Sequence, residues 1–463
     1  MSSSIPAPYE LFLALVKSFR DLQTPPTIAS RLAFLLSSVF YNVLGFTQAN
    51  FTNTDSFSTN GILFRGLSEE NSRKLTINLT LYGLESINKT YLGTDLTLKA
   101  YIDKSYQVVS VDKATLDLAI GQINLYLAYR FNDGWNAVWP LTNLPNGDLE
   151  IILDEVQDII NWPHPESYTP VKGGRAKALT GEWKKVVPPF KMDDTIINTI
   201  NSFHQLKNVQ AETLQLYNKS QTLTDREKAI AEFWEGNLRE GRKNPPPSVF
   251  WLIFMIYYMK TNKLPFDREV KIFNYICSSV FIAGILCWGV KYDIIDARPT
   301  QLCRLIKGLP LTYYNGVKTI SDLWNSYTPI KPLPFPNYVS GHATFTSAAS
   351  FVFSELFSKD LDFNEVIFDK EGVMLLTHLF DLREGDSFDM KTLYVPIGTT
   401  LYDGTVTKEV IMMDFGSWNG IAAQAAESRL FGGVHFNYDN QLGLVLGKLA
   451  YDNLKKDYSF VLK

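Results

Sequence analysis

From Asp267 to Tyr292 the chain runs almost without a break through apolar residues, and then turns abruptly to Lys291, Arg298 and Pro299. A helix that is hydrophobic all round must be surrounded by other elements, so this segment predicts the centre of a helical bundle. It also places two cations where the buried helix ends. Other segments carry apolar positions at three- and four-residue spacing: Pro8 to Phe19, Ile28 to Phe46, Asn71 to Leu92 and Lys113 to Phe131. The rhythm returns at Thr195 to Tyr217, Asp225 to Trp234, from Ser248 after the Pro245-Pro-Pro run, His342 to Phe357, Ser417 to Phe431 and Asn440 to Asn453.

The predicted fold is mainly α, built as two helical-bundle halves with long loops. An N-terminal helical domain covers residues 1–193, and its tail from 132 to 193 is a Pro-, Gly- and aromatic-rich loop section. A catalytic bundle covers residues 194–463. Between its helices, Lys391 to Met413 alternates around Asp403-Gly, which predicts a small β-hairpin. At 463 residues the chain exceeds the usual reach of one core.

Charge and cysteine content narrow the function classes. A net charge of −4 argues against a general nucleic-acid binder. Cys277, Cys287 and Cys303 are too few for a disulfide framework, and no Cys/His spacing suits zinc. The most membrane-like stretches, Ser248 to Met259 and Cys277 to Val290, fall short of the ~20 residues of a spanning helix. No secretory signal is visible, so a soluble chain without membrane association, cytoplasmic by default, is expected.

Three segments carry the chemistry. In Lys291-Tyr-Asp-Ile-Ile-Asp-Ala-Arg298-Pro299, Lys and Arg stand seven apart, which on one helix gives them a common face, with the proline ending that helix. Asn337-Tyr-Val-Ser340-Gly341-His342 opens the next helix. Ser340 is a suitable N-cap, the free first-turn amides attract anions, and Gly341 admits close backbone approach. In Ser428-Arg429-Leu-Phe-Gly-Gly-Val-His435, the arginine offers a planar fork to oxyanion edges, and Gly432-Gly433 lets His435 swing back. Taken singly, these segments read as a solvated helix face, simple capping and a loop histidine. Together, in this order, and with two of only five histidines in the motif slots, they describe a site for a tetrahedral oxyanion.

The pattern Lys-(six residues)-Arg-Pro, Ser-Gly-His, Ser-Arg-(five residues)-His resembles the superfamily uniting vanadium-dependent haloperoxidases and type 2 phosphatidic acid phosphatases. Length, and the gap of about 85 residues between His342 and Ser428, resemble the haloperoxidase branch. Trp288 and Phe335 resemble the halide pocket of the chloroperoxidase type; bromoperoxidases of the family carry His where Phe335 stands. Glu235 is similar to an acid that pairs with the motif arginine, although relatives usually have Asp there. Val339 stands where relatives have Pro. The likeness is clear from about residue 225 to 440 and does not extend to the first hundred residues.

This resemblance implies vanadate as cofactor, a site that phosphate can also occupy. It implies His435 as the ligand to the metal, with Lys291, Arg298, Ser340, Gly341, His342 and Arg429 around the oxygens. His342 would act as general base toward hydrogen peroxide, and Lys291 would polarise the bound peroxide. Partners would be hydrogen peroxide, a halide and an organic acceptor, and the aromatic content of 13% fits a homodimer. The same residues suit a soluble acid phosphatase working through a phosphohistidine at His435, so that alternative stays open. His164, His204 and His378 read as structural or surface residues, and Asp293 and Asp296 as helix-face or pairing groups.

Overall fold

The computed structural model describes residues 5–135 (apart from 23, 49, 50 and 60), 186, 188, 189, 199, 208–235, 247–303 (apart from 295 and 297), 310–312, 318–320, 326–328, 336–357, 394–413 (apart from 396) and 417–458. Helices dominate them, so the fold is mainly α. They are α1 (Pro8–Asp21), α2 (Pro26–Val43), α3 (Glu69–Tyr91), α4 (Leu96–Ser105), α5 (Lys113–Phe131), α6 (Val209–Ser220) and α7 (Asp225–Phe233). After these come α8 (Phe250–Asn262), α9 (Phe266–Asp293), α10 (Pro299–Cys303), α11 (Gly341–Leu356), α12 (Trp418–Phe431) and α13 (Asn437–Tyr458).

Local signals explain where several helices start. Ser68 and Asp112 accept hydrogen bonds from the backbone N–H of Asn71 (3.2 Å) and Thr115 (2.7 Å). At α7 a reciprocal cap forms: Thr224 Oγ1 accepts from Glu227 N at 3.3 Å, and Glu227 Oε2 accepts from Thr224 N at 2.9 Å. Lys263 ends α8 in the left-handed region, with φ of 47°.

The central helix is α9, as its composition requires. It packs on α2, α11 and α13, while α11 also packs on α12 and α13. Phe12 and Phe34, from α1 and α2, stack on Phe273 and Phe281 of α9 at 3.9 and 4.5 Å between ring centroids. One apolar core thus runs from α1 and α2 through α9 to α13. Burying each such aromatic is worth about 1.5–3 kcal/mol. The boundary expected near residue 193 lies outside the described residues.

Two helices, Pro26–Phe46 and Phe266–Lys291, are long and apolar enough to cross a membrane, and both are mostly buried inside the protein. Phe266–Lys291 extends the Cys277 to Val290 stretch singled out in the sequence, whereas Pro26–Phe46 was not singled out and Ser248 to Met259 does not qualify. The apolar surface of the two long helices is taken up by the packing of α2 against α9.

The hairpin expected near 391–413 is present. Tyr394–Val395 (β1) pairs antiparallel with Ile411–Met412 (β2), and Thr400 bridges Val406. Its turn closes where Gly404 N donates to Leu401 O at 3.0 Å, with Gly404 at φ of 82°, a conformation that favours glycine. A second antiparallel pair, Pro310–Thr312 with Lys318–Ile320, had no counterpart in the sequence reading; neither had α4 or α10. Helix α13 begins three residues earlier and ends five later than the expected Asn440 to Asn453. Most of the loop section 132–193, together with His164, His204, His378 and Phe335, lies outside the described residues.

Candidate functional site: a buried cluster of cations and histidines

Lys291 occupies the last turn of α9 and is fully buried. Its Nζ donates to the carbonyls of Pro336 (3.0 Å) and Asn337 (2.8 Å), just ahead of the Ser340 turn. Burial pushes its pKa well below the usual lysine range, the direction that follows from stripping water from an ammonium.

Arg298 reaches the cluster by a different route from the expected one. The helix bearing Lys291 ends at Asp293, so the two cations do not share a helix. Pro299 opens the short α10 instead of closing α9, and Arg298, the residue before proline, is kept out of helical geometry. The connection is fixed by Asn337 N donating to Asp296 O (3.0 Å) and Tyr438 Oη donating to Asp296 Oδ2 (2.9 Å). Asp296 is thus a buried pairing group. Arg298 Nη1 donates to Val434 O at 3.1 Å and lies 3.3 Å from His435 Nε2; Nη2 donates to Pro336 O at 3.2 Å.

Ser340 caps α11, its Oγ 3.5 Å from Ala343 N, and its own amide donates to Asp439 O at 3.1 Å. A Cβ on Gly341 would come within 3.2 Å of the Trp288 ring, so glycine is what allows this turn to sit on the indole. His342, in the first turn, points Nε2 at the carbonyl of Trp234, 2.7 Å away. A carbonyl only accepts, so Nε2 carries the proton and Nδ1 keeps its lone pair. Burial, and then the Arg429 charge, hold His342 neutral by pushing its pKa well below 6.5.

On α12, Arg429 is buried and its Nη1 donates to the same Trp234 carbonyl at 3.3 Å. Among the described residues its Nε has no hydrogen-bond partner. Burial lowers its pKa to about 10, against the opposing charges of Glu235 and Tyr402. The chain then reverses. Gly433 takes φ of 72°, and Val434 N and His435 N both donate to Arg429 O at 3.0 and 3.2 Å. A Cβ on Gly432 would lie 3.1 Å from both Ser428 O and Thr328 Oγ1. The turn brings His435 back beside Arg298. His435 Nδ1 faces Asp439 Oδ2 at 3.2 Å, so Nδ1 carries the proton and Nε2 presents a lone pair to the cluster. Burial and the Arg298 charge push the His435 pKa well below 6.5.

The sequence reading missed Asp439. It is fully buried, and its Oδ2 also accepts from Asn337 Nδ2 (2.5 Å) and Phe436 N (2.9 Å). It therefore ties the Ser340 loop, the start of α13 and the His435 ring together. Its available signal was the four-residue spacing from His435. The Trp234 carbonyl, shared by His342 and Arg429, had no side-chain signature at all.

Glu235 is buried at the end of α7, and its charge is the first of those supporting Arg429. Trp288 is buried beneath Gly341 and against Phe345, with Lys291 Nζ 5.7 Å from its ring. Phe335, its expected companion, is outside the described residues.

The cluster thus gathers three cations from two chain segments, two neutral histidines and the first turn of a helix in a buried space. Residues 271–455 match the family model for the VCPO second helical-bundle domain, the part of the chain holding every motif residue. Among solved structures, the first bacterial vanadium-dependent iodoperoxidase aligns over 98% of each chain, with a TM-score of 0.57 and 17% identity. A bacterial vanadium-dependent chloroperoxidase aligns in its apo form over 94% of this chain and 95% of that one (TM-score 0.60, 16% identity). Its holo form aligns over 94% and 93% (TM-score 0.58, 16% identity). The chain is therefore similar in fold to the vanadium-dependent haloperoxidases. No curated protein sequence matches the chain. At these identities the solved structures establish the haloperoxidase-like fold, and the chemistry rests on the site.

Proposed function

We propose that the chain is a vanadium-dependent haloperoxidase. It binds vanadate and uses hydrogen peroxide to oxidise a halide to hypohalous acid or, with an organic acceptor, to a halogenated product. The observation that carries this reading is the convergence of Lys291, Arg298 and Arg429 on the His435 Nε2 lone pair in a haloperoxidase-like fold. The residues fit an oxyanion: among the described residues the buried Arg429 Nε has no hydrogen-bond partner, and a buried donor left unpaired is costly.

His435 Nε2 would ligate the metal, and Lys291, Arg298, Arg429, Ser340 Oγ and the Gly341 amide would hold the oxygens. When bound, vanadate supplies a Lewis-acid centre that activates peroxide for two-electron oxidation, with no haem or flavin needed. Beside a bound oxyanion, Lys291 would be held in its ammonium form and would stabilise negative charge on the reacting oxygen. His342, with Nε2–H fixed on the Trp234 carbonyl, offers Nδ1 as the base for a peroxide proton. Asp439 holds the His435 tautomer, and Glu235 steadies Arg429. Trp288 and Phe335 form the halide pocket in this reading, and a homodimer is its expected assembly.

The Asp439–His435 pair also suits a nucleophilic histidine, which favours a phosphatase acting on phosphate monoesters as second reading. Purified protein assayed with peroxide and bromide separates the two. Halogenation that requires added vanadate and fades as phosphate competes is the expected result. Cleavage of a simple phosphate ester, inhibited by vanadate and without halogenation, would favour the phosphatase.

A further inference from the structure

The hairpin of residues 394–412 lies far from the motif segments in sequence, yet its turn reaches the residue that steadies Arg429. Tyr402 Oη donates to Glu235 Oε2. Tyr402 is itself held in three ways. Its backbone N–H donates to Glu232 Oε1 at 2.8 Å, and the same oxygen accepts from Tyr327 Oη at 2.6 Å. The Tyr402 and Tyr327 rings stack, with centroids 6.1 Å apart at 25°. Next to it, Asp403 pairs with Lys228 of α7 at 2.5 Å, and Lys228 Nζ also donates to Thr405 Oγ1 at 3.1 Å. The turn is therefore clamped to α7 at Tyr402 and just after it, which fixes the direction of its hydroxyl.

We infer that Tyr402 is a positioning residue of the oxyanion site, orienting Glu235 and through it the guanidinium of Arg429. The inference rests on the oxyanion reading above. Glu235 is buried with its charge acting on Arg429, and a hydrogen bond donated to its Oε2 fixes that oxygen's position relative to the guanidinium. The adjacent Trp234 carbonyl, which takes Arg429 Nη1 and His342 Nε2, leaves with the same end of α7. A hydroxyl on the hairpin thus sets the geometry of two motif residues that it does not touch.

The test uses the full chain and inorganic phosphate as probe, with Tyr402→Phe, Glu235→Gln and the double variant. Tyr402→Phe keeps the ring stack on Tyr327 and the backbone bond to Glu232, so the fold and melting temperature should be retained. Calorimetric titration should show a phosphate Kd about tenfold higher in Tyr402→Phe, the scale of one hydrogen bond to a charged group. In the Glu235→Gln background the same substitution should have no further effect. The ³¹P resonance of bound phosphate should shift in both single variants, which loss of packing alone would not cause. An unchanged Kd in Tyr402→Phe overturns the inference. A loss that adds fully to that of Glu235→Gln overturns the route through Glu235. Absence of saturable phosphate binding in the parent protein would instead bring down the oxyanion reading itself.

Discussion

Two buried clusters of cations are built to opposite rules. In the N-terminal half, Arg31 and Arg130 are fully buried against Asp133 and Asp55. Arg31 donates through both Nη atoms to Asp133 at 3.0 Å and lies 4.4 Å above the Trp135 ring. Arg130 donates to Asp133 at 3.1 Å and to Asp55 at 2.7 Å through Nε. Two cations meet two carboxylates, and the cluster is electrically closed. At the candidate site, Lys291, Arg298 and Arg429 donate to the carbonyls of Pro336, Asn337, Val434 and Trp234, with the carboxylates of Glu235, Asp296 and Asp439 buried nearby. The titrations follow. Burial alone would lower Arg130, yet Tyr126 and Asp55 carry it well above the usual arginine value; burial lowers Arg429 to about 10. Arginines spent on carboxylates tie helices together, whereas cations held on carbonyls keep donors that an anion can engage.

This contrast can be broken at either end. Asp133→Asn should destabilise the protein by about 3–5 kcal/mol in urea titrations, because it strands buried arginine charge. Folded protein of that variant should still bind phosphate with unchanged affinity; a parallel loss of binding would erase the distinction. Within the candidate site, His342→Ala should retain vanadate and lower peroxide-dependent turnover about a thousandfold, the middle of the range for a general base. Normal turnover would remove His342 from that role. The double variant Arg429→Met/Glu235→Gln, which removes the cation and its nearby carboxylate charge together, should weaken phosphate binding about a hundredfold, near 2.7 kcal/mol, while leaving stability unchanged or about 1 kcal/mol higher. A destabilisation like that of Asp133→Asn would mean that Arg429 is a structural ion after all.

A third kind of buried charge sharpens the comparison with the smallest effect. Glu269 of α9 is buried near Glu10, and burial raises its pKa to about 7. The folded state therefore holds a proton that the unfolded chain releases near pH 4.5. Its contribution to stability is complete below pH 4.5 and is lost as pH rises toward and through 7. Glu269→Gln should remove that decline and leave the variant about 1–2 kcal/mol more stable than the parent at pH 8. Parallel pH profiles for the two proteins would show that the carboxyl is already solvated.

How much of this was legible depended on whether a residue's role follows from its type and spacing. Lys291, Ser340, His342, Arg429 and His435 could be read because cations, a cap and imidazoles next to helix ends have few uses in buried segments. The central position of α9 followed from its composition, and the hairpin from alternation around Asp403-Gly404. Arg298 was assigned to the wrong element, since a proline that ends one helix and a proline that opens the next look alike in sequence. Helix α4 escaped because its apolar residues, Leu98 and Ile102, are too few to set a rhythm. Asp439 and Tyr402 escaped for a physical reason: each acts on a motif residue through a carboxylate contact that only tertiary packing creates. The Trp234 carbonyl is main chain, and no residue type announces it.

The most direct measurement is a titration of vanadate into the purified protein, followed by ⁵¹V NMR, with phosphate as competitor and His435→Ala as control. One vanadate per chain is expected, displaced by phosphate and no longer retained when His435 is replaced. Absence of saturable binding, or binding that His435→Ala leaves intact, would contradict the assignment of this cluster as the oxyanion site.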